Sequence, residues 1–271
     1  MMKKPLNLIA VFAMIAMILF TVTSCDKEPV DLRPELPPLE SLQMDFSDFA
    51  SQPAGMKSSE LSYVNFSLSF TTVSFWSATA AVVTALPVAA YTHALTQTPE
   101  YKGDNTWEWS FEFQHNALTY TATLTGVRLN NEEFSMEMVI GHESLPGVEV
   151  KWFDGVVRYD HTSAEWTLYR EGSLAVLQIV WNVDFETEDA DLTYTYVEPE
   201  QTETGSYIMW EYRPGEVYDA AYTISMSEGT SFIEWNVSTI EGRVKALAYF
   251  EDEVWHCWDS YVNGLADIAC E

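Results

Sequence analysis

The sequence predicts a mainly β protein: a large antiparallel meander sheet, cupped or half-barrel, covering one buried apolar helix. Three observations predict it. From Trp107 almost to the C-terminus, apolar and polar residues alternate with a period of two. Turn signals separate these runs so closely that no crossover helices fit between them. From Leu61 to Pro99 the chain carries no Asp, Glu, Lys or Arg, although the chain as a whole is 20% charged.

The first element is an export signal. Lys3 and Lys4 precede an uninterrupted apolar run from Leu8 to Phe20, the arrangement of a secretory signal. That run is too short to span a membrane, which takes about 20 residues. Residues 1–24 are therefore expected to be a removable lipoprotein signal, with Val22-Thr23-Ser24-Cys25 resembling the bacterial lipobox. The resemblance implies cleavage before Cys25 and acylation of its thiol and new amino group. The alternative is an ordinary signal cut elsewhere, leaving Cys25 free. Several acyl chains on one residue anchor durably, where one chain holds only marginally. Residues 25–40, with four prolines and little apolar content, are expected to be the lipidated cysteine and a disordered tether.

Residues 41–271 are expected to form a single β-rich domain. Its helix is placed at about 77–95, where Ala78, Ala80, Ala81, Val82, Val83, Ala85, Leu86, Val88, Ala89 and Ala90 cluster, with Pro87 as a kink. A helix apolar on every side must be covered on every side, so it is expected to be a core helix. Upstream, Val64, Phe66, Leu68 and Phe70 alternate with polar residues, which fits a strand or a second uncharged helix. The strand runs include Trp107, Trp109, Phe111 and Phe113; Phe134, Met136, Met138 and Ile140; Ala220, Tyr222, Ile224 and Met226; and Val244, Ala246, Ala248 and Phe250. Such runs number about eleven or twelve strands. Asn130-Asn131, Asp160-His161, Glu171-Gly172 and Glu228-Gly229 mark turns, and a phase change at Asp154-Gly155 marks a turn or a bulge. Twisted sheets of this many strands curl, and the one uncharged helix is available to cover the concave face.

Cys25-Asp26-Lys27-Glu28, then Leu36-Pro37-Pro38-Leu39-Glu40-Ser41 and Met44-Asp45-Phe46-Ser47-Asp48-Phe49, resemble the start of outer-membrane and surface lipoproteins of Bacteroidota. The Trp-rich strands and the ending Trp255-His256-Cys257-Trp258 resemble them more loosely. The resemblance implies a lipid-anchored protein of the cell envelope, at the outer membrane on its periplasmic or outer face. It implies no activity.

The whole chain has a formal net charge of −28. Loss of residues 1–24 removes Lys3 and Lys4 and no acid, leaving 11 basic residues against 41 acidic. That excludes nucleic acid as a partner and leaves the acyl chains on Cys25, not charge, to hold the membrane. Cys257 and Cys270 remain as an expected disulfide or as two reduced thiols. No phosphate loop, nucleophile elbow or zinc-helix motif occurs, and the five histidines are scattered. No catalytic residues, cofactor or metal site are assigned, and the protein is expected not to be an enzyme. The carboxylates of Glu186, Glu188, Asp189 and Asp191 read as a solvated hairpin tip or a calcium loop. Ten tryptophans read as core filling or as an aromatic platform for sugars. The expected function is binding of an apolar ligand or lipid between helix and sheet. The alternatives are a structural or accessory lipoprotein contacting another envelope protein, and a surface glycan-binding protein.

Overall fold

The computed structural model describes residues 33–49, 61–145 and 147–270. The expected signal, lipobox and lipidated Cys25 lie outside the described residues. Among the described residues fourteen strands follow one another in sequence order as an antiparallel meander that does not close. They are β1 (Glu100–Gly103), β2 (Thr106–His115), β3 (Leu118–Arg128), β4 (Glu133–His142), β5 (Glu149–Arg158), β6 (Ser163–Arg170) and β7 (Leu174–Val183). Then come β8 (Ala190–Tyr196), β9 (Tyr207–Tyr212), β10 (Ala220–Met226), β11 (Gly229–Trp235), β12 (Gly242–Ala246), β13 (His256–Trp258) and β14 (Asp267–Ile268). The period-two pattern sets the inner face: Trp107, Trp109, Phe134, Met136, Met138, Tyr222, Ile224 and Val244 are buried there. The phase change near Gly155 is a bulge. Lys151 and Phe153 pair with Val139 and Met138, so Trp152 is the extra residue, and Gly155 stays in the ladder opposite Trp166. The run expected to reach Phe250 stops at Ala246, and Leu247–Phe250 form a helical turn, α2. Both alternating positions are apolar there, so the pattern named no face.

The helix α1 runs from Val64 to Ala94, 31 residues, well before its expected start at 77. It absorbs Val64–Phe70, whose uncharged alternation is helical after all. The segment lacks glycine, and its only proline is Pro87, so nothing upstream of it breaks the helix. The start is set from outside the segment. Asp267, on β14, accepts from Val64 N and Asn65 N, both at 3.0 Å, and from Ser62 Oγ. This is an N-terminal cap supplied from some two hundred residues away. The bond between Cys257 and Cys270 holds the strand that carries it.

Beginning at Val64, α1 crosses β13, where Phe66 packs edge-on to Trp258, and ends over β2, where His93 lies 5.6 Å from Phe113. A flat sheet would separate these strands by roughly 50 Å at the usual strand spacing, while Phe66 and His93, which meet them, stand about 40 Å apart along the helix. The sheet therefore curls around the helix.

The expected disordered tether is different where it is described. From Pro34 the chain is part of one compact unit extending to the C-terminus, and residues 34–49 lie along the inner face. Polar tips of core aromatics take up their backbone groups. Tyr91 Oη donates to Pro37 O at 2.8 Å, Trp166 Nε1 to Ser41 O at 3.0 Å and Tyr194 Oη to Leu42 O at 2.8 Å. Farther on, Met44 N donates to Tyr194 Oη, Tyr222 Oη to Asp45 O, and Trp235 Nε1 to Asp48 Oδ2. The strap crosses the strands from β6 to β11 in order, and Phe49 then stacks on Phe66 at the start of α1. Its prolines and acids suggested solvent. What ordered it was a row of buried tyrosine and tryptophan side chains that need polar partners.

Candidate functional site

The strap and helix do not fill the concave face completely. A cleft of about 240 Å³ opens between the middle of α1 and one end of strands β7–β10. The helix contributes Phe75, Trp76, Thr79, Ala80 and Val83, spaced three or four residues apart so that they share a side. The sheet contributes Val176 and Leu177 from β7, Tyr194 and Tyr196 from β8, and Met226 from β10. A bulge explains the paired residues on β7. Tyr169 pairs with Ala175 and Leu168 with Leu177, leaving Val176 as the extra residue, and both Val176 and Leu177 are buried.

Polar groups in the cleft are few. Tyr194 Oη is committed to the strap, and Tyr196 Oη donates to Glu198 Oε2 at 2.9 Å. Glu203 accepts from Ser206 Oγ at 2.7 Å, Ser227 Oγ at 2.5 Å and Ser227 N at 3.2 Å. These bonds, those from Ser227 first, hold its carboxyl below the usual glutamate range. One donor is left over. Trp76 is only 5% exposed, and its indole Nε1 has no hydrogen-bond partner among the described residues. A buried N–H left unpaired costs about 1–3 kcal/mol. An acceptor in the cleft would remove that cost.

Among the described residues no histidine, cysteine or lysine lines the cleft. Its chemistry is that of enclosure: apolar walls, one unpaired donor and one fixed carboxylate at the rim. Among the described residues no three His, Cys, Asp or Glu are gathered in a way that could hold a metal. Glu186–Asp191 is an exposed hairpin tip, tied by Asp184 Oδ1 to Glu186 N at 2.8 Å. The sites expected from sequence divide clearly. Cys257 and Cys270 are joined, with Cα atoms 5.3 Å apart, at the end of the sheet, while Cys25 is outside the described residues. Of the ten tryptophans seven are buried and three partly so, which favours core filling over an exposed platform.

Enclosure of the helix on all sides did not hold. One stripe, from Phe66 through Val73, Ala80 and Ala90 to Ala94, is buried, while Phe75 is 56% and Val82 85% exposed. Ala78, Ala81 and Ala85 are exposed with them. A single helix laid across a curved sheet has only one side to offer it. Val83 sits between the two faces, half-buried at the cleft. By length and composition α1 is apolar enough to cross a membrane.

Sequence reasoning located the helix and the sheet but not the cleft, because the bulge at Val176 and the path of the strap leave no local mark. A tryptophan in the middle of an uncharged helix was the one available signal. Set against protein-family models, curated proteins and solved structures, the chain matches none.

Proposed function

We propose that this protein is a lipid-anchored, non-enzymatic lipoprotein of the cell envelope that takes an apolar ligand or lipid chain between α1 and the sheet. The observation that carries the reading is the cleft itself, with Trp76 Nε1 buried and unpaired in an otherwise apolar wall. The expected signal, lipobox and Cys25 support lipid anchoring, and the resemblance of the segment after Cys25 supports placement at the outer membrane. Native mass spectrometry of the chain from residue 26 onward, purified without detergent, tests the ligand. A retained apolar molecule of constant mass is expected, and it should be lost in Val83→Trp and Thr79→Trp, which fill the cleft from two positions. Bare protein in every preparation, with no added amphiphile bound, would refute the reading. Anchoring has its own test: Cys25→Ser should take up no labelled palmitate.

A second reading has its own observation. The outer face of α1 exposes Ala78, Ala81, Val82 and Ala85 without a charge among them. Its outward hydroxyls also turn back on the helix: Thr71 and Thr92 donate to the carbonyls of Ser67 and Val88. Such a face suits an accessory lipoprotein that meets another envelope protein.

A further inference from the structure

The rim of the cleft selects the head group of what enters it. We infer that the ligand is a single-chain amphiphile with a cationic head held at Glu203, and that anionic fatty acids are disfavoured; this rests on the cleft being an apolar ligand site. Size sets the chain. A dry cavity of ~150 Å³ takes benzene, so about 240 Å³ accommodates a chain of roughly eight carbons. Walls of Ala80, Val83, Val176, Leu177 and Met226 give that chain nothing but apolar contact.

Polarity sets the rest. Inside, Trp76 Nε1 lacks an acceptor among the described residues, and an amide or ester carbonyl next to the chain supplies one. At the rim, Glu203 is ionised and fixed by three hydrogen bonds from Ser206 and Ser227. Three donors leave a carboxylate lone pairs to spare, since its two oxygens offer about four acceptor sites. No Lys or Arg lines the cleft to pair with it. A head group that is an ammonium gains a charge-assisted bond there, whereas a carboxylate meets like charge. The net charge of −28 acts in the same direction at low salt, and at 0.15 M it is screened beyond about 8 Å. What remains at that ionic strength is the local preference of Glu203.

Three probes that share an octanoyl chain and an amide carbonyl separate the contributions: N-octanoyl-ethylenediamine, N-octanoylethanolamine and N-octanoylglycine, cationic, neutral and anionic. Titration calorimetry in 0.15 M salt, on the chain from residue 26 onward, should find the cation roughly three- to tenfold tighter than the neutral probe. The anion should be weakest. Glu203→Gln keeps one acceptor oxygen and the shape, and it should still melt in one cooperative transition, somewhat below wild type because the ionised carboxylate's bonds are weakened; in it the cation and the neutral probe should bind within about twofold. If the neutral probe binds but the cation gains nothing, the head-group inference falls and the apolar cleft stands. The inference also falls if the cation keeps its advantage in Glu203→Gln. If none of the three binds, the cleft is not a ligand site and the inference falls with it.

Discussion

At single residues, the sheet shows how it accommodates so many tryptophans. Trp166 lies directly opposite Gly155, and Trp258 opposite Gly242. A Cβ placed at Gly155 would come within 2.4 Å of the Trp166 ring, and one at Gly242 within 2.4 Å of Trp258. The indole covers the bare backbone of its neighbour, so a methyl group has no space. Gly155→Ala and Gly242→Ala should each cost about 1–3 kcal/mol in urea unfolding. Gly126→Ala, whose Cβ would meet Trp109 at 3.2 Å, should cost less. Asp48 is the strap's most confined acid. Burial above all, opposed by the bond from Trp235 and helped by Asp45 and Asp219, raises its pKa. The folded form thus binds this proton more readily than the unfolded chain, so its contribution favours folding in acid and is lost as pH rises through the folded pKa. Asp48→Asn keeps an acceptor for Trp235 without the charge. Its melting temperature should exceed wild type at pH 7, and the difference should vanish near pH 3.

Among the elements, α1 divides most sharply into an inner and an outer side. Ala80 is 6% exposed, two positions from the outward-facing Val82. Ala80→Asp should therefore cost several kcal/mol, while Val82→Asp should change stability by roughly 0.5 kcal/mol or less. Equal losses in thermal melts would mean that the outer face is covered. Asp267 is the second test of the helix. Asp267→Ala should cost about 1–2 kcal/mol, with loss of helical circular dichroism at the end near Val64. The fold class was legible because period-two runs and an uncharged segment are local signals. The start of α1 was not, because its cap comes from β14. Nor was the order of residues 34–40, whose partners lie far along the chain: Tyr91 bonds Pro37 O and the His161 ring meets Glu35 O. The expected all-round burial failed because composition reports what a helix tolerates, not how many neighbours reach it.

For the whole molecule, acidity is the dominant field. With 41 acids against 13 bases, self-repulsion opposes the folded state and is screened by salt. Raising sodium chloride from about 0.01 to 0.15 M at pH 7 should raise the melting temperature by a few degrees. Acid acts differently on the carboxylates that hydrogen bonds hold low, Asp160 by Arg158 foremost and Glu198 by Arg170. Their contribution is present above the unfolded carboxylate range near 4 and is lost as pH falls through their folded values. The sheet and helix leave an apolar cleft between them, and the proposed function depends on that space being occupied. The indole N–H resonance of Trp76 reports on it directly. Titrating N-octanoylethanolamine into nitrogen-15-labelled protein should move that resonance downfield and saturate, with no such change in Val83→Trp. A Trp76 resonance that stays still while the amphiphile shifts Ala78 and Val82 would place binding on the outer face of the helix and contradict the account.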